Sequence, residues 1–183
     1  MNYKNPWKTV STKTIYENPW LRLREDEVIR PDGKDGIYGV VEIKPSIGVV
    51  AINEKDEIAI VGQWRYTLKK YSWEIPTGGS VKEDNTILDA AKRELEEETG
   101  IQAAEWTALG SIDNSNGVTT DVAHLFLAKR LTYLTPKQEP NEQIVTKWIS
   151  FKRAVQMVMN GDITESCSVA AILKVYKMRL SQL

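Results

Sequence analysis

Arg93-Glu94-Leu95-Glu96-Glu97-Glu98-Thr99-Gly100-Ile101 is the stretch whose reading decides the fold of this chain. Glu94, Glu97 and Glu98 stand at i, i+3 and i+4, so a helix puts three carboxylates on one face. Like charges at that spacing repel by roughly 0.2–0.5 kcal/mol per pair, and a nearby cation removes the penalty. Carboxylate oxygens suit a hard divalent ion such as Mg²⁺. A Glu-rich helix is ordinarily a solvated surface, but the neighbours argue otherwise here. Arg93 can pair with Glu97 one turn on, while Ala90, Ala91 and Leu95 form an apolar stripe that packs the helix down. Gly100 stands where a left-handed residue ends a helix. Upstream, Thr86-Ile87-Leu88-Asp89 approximates a capping box, and Pro76-Thr77-Gly78-Gly79 reads as a loop that brings backbone close to a ligand.

Working outward, 183 residues make one domain, or one domain with a small appendage, long enough to bury its own core. Lys and Arg number 24 against 25 Asp and Glu, a net charge of -1. That balance argues against a nucleic-acid or anionic-membrane surface. Cys167 is the one cysteine, which excludes an internal disulfide and fits a reducing compartment. It reads as a small helix residue rather than a nucleophile, because His124, the one histidine, lies in the apolar strand-like run from Val122 to Leu127. No apolar stretch approaches the roughly 18 residues of a membrane span, and the start has no signal-peptide pattern. The expectation is a cytoplasmic protein with no membrane partner.

Strands are expected at Ile15-Tyr16, Trp20 to Ile29 and Gly36 to Ile43, separated by Asn18-Pro19 and by Pro31-Asp32-Gly33-Lys34. Ile47 to Ile52 and Ile58 to Gln63 are β-branched runs that read as a hairpin around Asn53-Glu54-Lys55-Asp56-Glu57. Ser72 to Ile75, Val122 to Lys129 and Ile144 to Ile149 are further strands, with a Pro-containing loop from Thr135 to Asn141. Helices are expected from about Ile87 to Thr99, from Phe151 to Met159 before Gly161, and from Ser168 to Leu180. Mixed sheet with flanking helices is an α/β or α+β sandwich by layer logic alone.

The acidic helix and its glycine loop resemble the Nudix box, Gly-x5-Glu-x7-Arg-Glu-U-x-Glu-Glu-x-Gly-U, where U is a bulky aliphatic residue. From Gly79, the residues Arg93, Glu94, Leu95, Glu97, Glu98, Gly100 and Ile101 fall in register, and Asn85 departs at the first Glu position. Either Glu83 or Asp84 could supply that missing charge. The resemblance implies a Nudix α/β/α sandwich with a mixed sheet. A strand-rich start, Gln63-Trp64-Arg65 and Trp73-Glu74-Ile75-Pro76 make the chain similar to the ADP-ribose and nucleoside-diphosphate-sugar pyrophosphatases. That similarity implies an N-terminal β extension over residues 1–45 that builds a homodimer, often by exchange of its sheet in that group, and a catalytic domain over residues 46–183.

What the resemblance implies for chemistry is Mg²⁺, with Mn²⁺ able to substitute, held by Glu94 and Glu98, with Glu97 close by and the carbonyl near Gly78. A general base from the segment Glu139-Pro140-Asn141-Glu142 would activate water: Glu142 aligns best, Glu139 second, and Glu97 stands in reserve. Arg65 would meet the diphosphate beside Glu74, while Trp20 and Tyr38 fall where related enzymes hold a base, both with packing as the competing role. The remaining tryptophans, Trp7, Trp64, Trp73, Trp106 and Trp148, read as packing residues. The Ser-Pro-Gly associated with ADP-ribose preference is replaced by Ser115-Asn116-Gly117. The implied activity is hydrolysis of a small nucleotide sugar, ADP-ribose or GDP-mannose or similar, to a nucleoside monophosphate and a sugar phosphate. A non-catalytic nucleotide-binding Nudix module and an RNA-directed Nudix hydrolase are the rivals; the second needs a basic groove for which the charge balance gives no support.

Overall fold

A computed structural model of the chain describes residues 3–135 and 143–181. In order, the elements are β1 (Lys8–Glu17), β2 (Leu21–Ile29), β3 (Asp35–Ile43), β4 (Ser46–Ala51), β5 (Glu57–Arg65), β6 (Lys70–Glu74), β7 (Thr77–Gly79), α1 (Ile87–Thr99), β8 (Ile101–Asp113), β9 (Val122–Tyr133), β10 (Val145–Ser150), α2 (Phe151–Asn160) and α3 (Ser166–Leu180). They divide into two compact units, Met1–Pro45 with Asp113–Val122, and Ser46–Ile112 with Ala123–Leu183.

The first unit is an antiparallel meander, β1-β2-β3. The segment after β8 lies along β3: the Val41 amide donates to Val118 O at 2.8 Å, and the Thr120 amide donates back to Val41 O at 3.0 Å. The Tyr38 hydroxyl donates to Gly117 O at 2.9 Å, so this segment is tied to the meander by side chain as well as backbone.

The second unit is layered because β4 and β9 alternate between two apolar clusters. Ile47, Val49 and Ala51 of β4, with Phe126 and Ala128 of β9, meet Ala90, Ala91 and Leu95 of α1. Val50, Leu125 and Leu127 meet Phe151, Ala154, Ile172 and Val175 of α2 and α3 on the opposite face. Helices on both faces of a mixed sheet, with β4 parallel to β9 and antiparallel to β7, make the α/β/α sandwich. Cys167 is buried in the second cluster, as a small helix residue.

Three expectations needed correction. The runs at 47–52 and 58–63 are not a hairpin: β4 belongs to the four-stranded sheet β7-β4-β9-β8, β5 to the three-stranded sheet β10-β5-β6, and a single bridge, Ile52 to Ile58, joins them. Each strand is buried on both faces, so each needs its own sheet neighbours. The segment from Ile101 to Asp113, given no element from the sequence, is a strand of 13 residues; its Ala103-Ala104-Glu105 stretch and mostly exposed side chains hide the strand preference. Trp64 is 61% exposed and does not pack, whereas Trp106 meets Phe126 edge-on and Trp148 meets Tyr133.

Candidate active site

The acidic helix is set by its ends. Thr86 has extended backbone, and its hydroxyl oxygen accepts from the Asp89 amide at 3.1 Å. Gly100 closes the helix at φ 69°, in the left-handed region, and its amide donates to Glu96 O at 2.8 Å. Leu95 is fully buried against the sheet. Its burial contributes about 1.5–3 kcal/mol and fixes which way the carboxylates face.

The glycine loop contains strand β7, whose Gly78 pairs with Ile47 and Thr77 with Gly48. A Cβ on Gly78 would lie 2.1 Å from the Glu94 carboxyl carbon, so this carboxylate occupies the space a side chain would need. The Glu98 side chain is turned inward, and its Oε2 accepts from the Thr77 amide at 3.1 Å. Helix and loop are thus joined at two successive residues of β7.

Arg93 organises the rest. Its Nη1 donates to Glu94 Oε1 and to Glu97 Oε2, each at 2.9 Å, and its Nη2 to Gly79 O at 2.9 Å. Its Nε and Nη2 also reach both Asp84 oxygens at 3.1 Å. Asp84 therefore carries the charge that Asn85 lacks, and Glu83 makes no such contact with Arg93 among the described residues. Hydrogen bonding to Arg93 is the main cause that holds the Asp84 carboxyl below its ordinary pKa. Conversely, Asp84 first, then Glu94 and Glu97 against the cost of burial, raise Arg93 above its ordinary value.

Arg65, at the end of β5, forks onto Glu74: Nε donates to Oε1 at 2.9 Å and Nη2 to Oε2. Glu74 is 1% exposed, so its carboxylate is committed to Arg65 beneath the surface. The hydrogen bond from Glu74 outweighs burial and raises the Arg65 pKa, and Glu98 adds to it through space. Thr77 is the residue the sequence reading did not single out: its amide holds Glu98 while its Oγ1 lies 3.5 Å from Arg65 Nη2. Its place beside the two glycines was the available signal.

Chemically, Glu94, Glu97, Glu98 and the Gly78 carbonyl would offer oxygen donors only, a set that suits a hard divalent cation. Among the described residues no three His, Cys, Asp or Glu side chains form a ready-made metal cluster. Arg93 Nη1 holds the Glu94 and Glu97 carboxylates together and the Thr77 amide fixes Glu98, while Glu94 is seated tightly on Gly78. Glu139 and Glu142 lie outside the described residues. Trp20 and Tyr38 belong to the first unit. Leu21 is paired with Ile43 and Asp26 with Tyr38, so strand residues spanning roughly 17 Å at about 3.4 Å each separate the two aromatics. They are not side by side. Trp20, 78% exposed, borders a cavity of about 230 Å³ with Arg22, Glu42 and Lys44, whereas Tyr38 meets Trp7 edge-on at 5.4 Å.

The model of the NUDIX domain matches residues 42–165, which contain Arg65, Glu74, the glycine loop and the acidic helix. The chain belongs to the Nudix family. Residues 7–41 of this Nudix hydrolase match the nucleoside diphosphate sugar hydrolase N-terminal domain. It is 30% identical over 176 residues to an ADP-ribose pyrophosphatase of Mycobacterium tuberculosis, covering 94% of this chain and 84% of the relative. It is 34% identical over 167 residues to a methanol dehydrogenase activator of Bacillus methanolicus, covering 90% of each. A crystal structure of an ADP compounds hydrolase superposes with a TM-score of 0.86 over 100% of this chain and 98% of that one; at 15% identity the likeness shows the fold. The chain is a Nudix hydrolase of the ADP-ribose and nucleoside-diphosphate-sugar pyrophosphatase group.

Proposed function

We propose that this Nudix hydrolase cleaves the diphosphate bond of nucleoside diphosphate sugars, with ADP-ribose as the leading substrate and GDP-mannose as the alternative, releasing a nucleoside monophosphate and a sugar phosphate. The observation that carries this reading is the seat of the Glu94 carboxylate on Gly78 beside the buried Glu98, both tied to one helix face. Glu94, Glu97, Glu98 and the Gly78 carbonyl would hold Mg²⁺, or Mn²⁺ in its place. When bound, the metal neutralises phosphoryl charge and acidifies a water.

The chain's own residues do the remainder. Arg65 is a planar, permanently charged fork suited to a diphosphate, and Glu74 fixes its orientation from below. Glu142, or Glu139 or Glu97 after it, accepts the proton of the attacking water. Trp20 or Tyr38, which lie too far apart in one chain to sandwich a base together, offers aromatic surface to it, and such stacking is tolerant of base identity. With Ser115-Asn116-Gly117 held against β3 in place of Ser-Pro-Gly, the sugar preference is expected to be broad or shifted.

Support for a homodimer comes from β1, exposed along all ten residues, and from a cavity of about 630 Å³ lined by Val10, Glu27, Val28, Asp35, Gly36 and Ile37. An exposed edge strand that carries Val10, Ile15 and Tyr16 on its surface is one that a second copy would cover. Light scattering tests it, and a monomer would remove the dimer from the account. No helix among the described residues is long and apolar enough to cross a membrane; a cytoplasmic location is part of this proposal.

The deciding experiment is a panel of ADP-ribose, GDP-mannose, other diphosphate sugars, dinucleotides and capped RNA with Mg²⁺. Release of nucleoside monophosphate from the diphosphate sugars supports the reading, and release from capped RNA alone overturns it. Because the 34% identical relative is a methanol dehydrogenase activator, stimulation of a methanol dehydrogenase by the purified protein belongs in the same panel.

A further inference from the structure

The loop-side half of the site depends on four consecutive residues, each held by a different partner. Glu74 grips Arg65. The Pro76 carbonyl accepts from the Val49 amide at 2.9 Å, and the Thr77 amide donates to Glu98 Oε2. Between them lies Ile75, one residue past the end of β6, where the ladder to β5 stops at the pair of Glu74 with Val61. The Ile75 amide is buried, and its partner lies 93 residues away: Ser168 Oγ accepts from it at 2.9 Å.

Ser168 is fully buried in the first turn of α3. Its hydroxyl donates onward to Glu165 Oε2 at 2.7 Å, and Glu165 caps the helix by accepting from the Cys167 and Ser168 amides, both at 2.7 Å. The hydroxyl thus donates one bond and accepts one, linking the Ile75 amide to the Glu165 carboxylate. Behind it, Ala171, Ile172 and Val175 anchor α3 in the core. The approach is tight: a Cβ on Gly48 would lie 3.2 Å from Cys167 Cβ, so the first turn of α3 is held close to β4.

We propose that Ser168, supported by Glu165, is a positioning residue for the diphosphate and metal site, acting through the Ile75 amide on Glu74, Thr77 and, through them, Arg65 and Glu98. The proposal rests on the function proposed above only for its kinetic arm. Without the hydroxyl, a buried amide donor loses its acceptor, and the segment relaxes to find another. A relaxed segment turns Glu74 under Arg65 and lengthens the bond from Thr77 to Glu98. Substrate binding then suffers more than turnover, because Arg65 is a binding group.

Two arms test this. Amide hydrogen exchange by NMR needs no substrate: in Ser168→Ala the Ile75 and Thr77 amides are expected to exchange at least about tenfold faster than in the unaltered protein, while the α1 core amides of Leu95 keep their protection. An unchanged Thr77 amide overturns the proposal. In the kinetic arm, KM for ADP-ribose per folded molecule is expected to rise about tenfold with a smaller change in kcat. A lower melting temperature with KM and kcat both unchanged would make Ser168 merely structural and overturn it too. Should Ser168→Ala not fold, Ser168→Cys, which keeps the volume and weakens the acceptor, is read by the same two criteria. If no diphosphate sugar is hydrolysed at all, the proposed function fails, and the exchange arm still decides the role of Ser168.

Discussion

Arg93 holds Asp84 by two parallel bonds, from Nε to Oδ1 and from Nη2 to Oδ2, each 3.1 Å. With the Asp84 side chain 8% exposed, this pair is the brace between the loop and the acidic helix. Asp84→Asn is expected to lower stability by about 1–3 kcal/mol, the usual cost of weakening a hydrogen bond to a charged group. Asn85→Ala, away from that brace, is expected to stay within about 0.5 kcal/mol. Urea unfolding of both variants checks the contrast.

The same pair sets a pH dependence. The folded-state pKa of Asp84 is depressed below its unfolded value, so its contribution is complete above the usual aspartate value of about 3.9 and is lost as pH falls through the lower folded value. Acid titration of stability should therefore show a steeper loss below about pH 4 in the unaltered protein than in Asp84→Asn. Parallel curves would remove Asp84 from the acid response.

Gly78→Ala places a methyl in the space of the Glu94 carboxylate, 2.1 Å from its carbon. Either Glu94 leaves or β7 moves, and kcat/KM is expected to fall by about 100-fold or more, with the helix retained by circular dichroism. Gly79→Ala, where nothing lies within 4 Å, is expected to be mild.

Arg65→Lys keeps the charge and loses the fork onto Glu74. The expected result is a KM for ADP-ribose raised about tenfold with kcat less affected, since a flexible ammonium cannot reproduce the planar two-point contact. Glu74→Gln should act in the same direction, and should also lower stability because it weakens a buried pair. Steady-state kinetics on both variants measures this.

The acidic helix was legible because local signals agreed: the spacing of Ala90, Ala91 and Leu95, the Thr86 cap and the Gly100 stop all act within a few residues. Arg93 to Glu97 was legible for the same reason. What escaped depends on long-range pairing. Asn53 to Glu57 looks like a hairpin turn, yet β4 and β5 take their partners from β7 and β9, and from β6 and β10. Ser168 is one serine in a helix until the fold brings it to Ile75. Asp84 stood one register step from the motif, and only the Arg93 contact distinguishes it from Glu83.

Hydrolysis of ADP-ribose with Mg²⁺ by the unaltered protein and by Glu98→Gln tests the central claim most directly. The expected result is AMP and ribose 5-phosphate from the unaltered protein, and a loss of at least about 100-fold in kcat for Glu98→Gln with its melting temperature nearly kept. Equal turnover by Glu98→Gln, or no nucleoside monophosphate from ADP-ribose or any other diphosphate sugar, would contradict it.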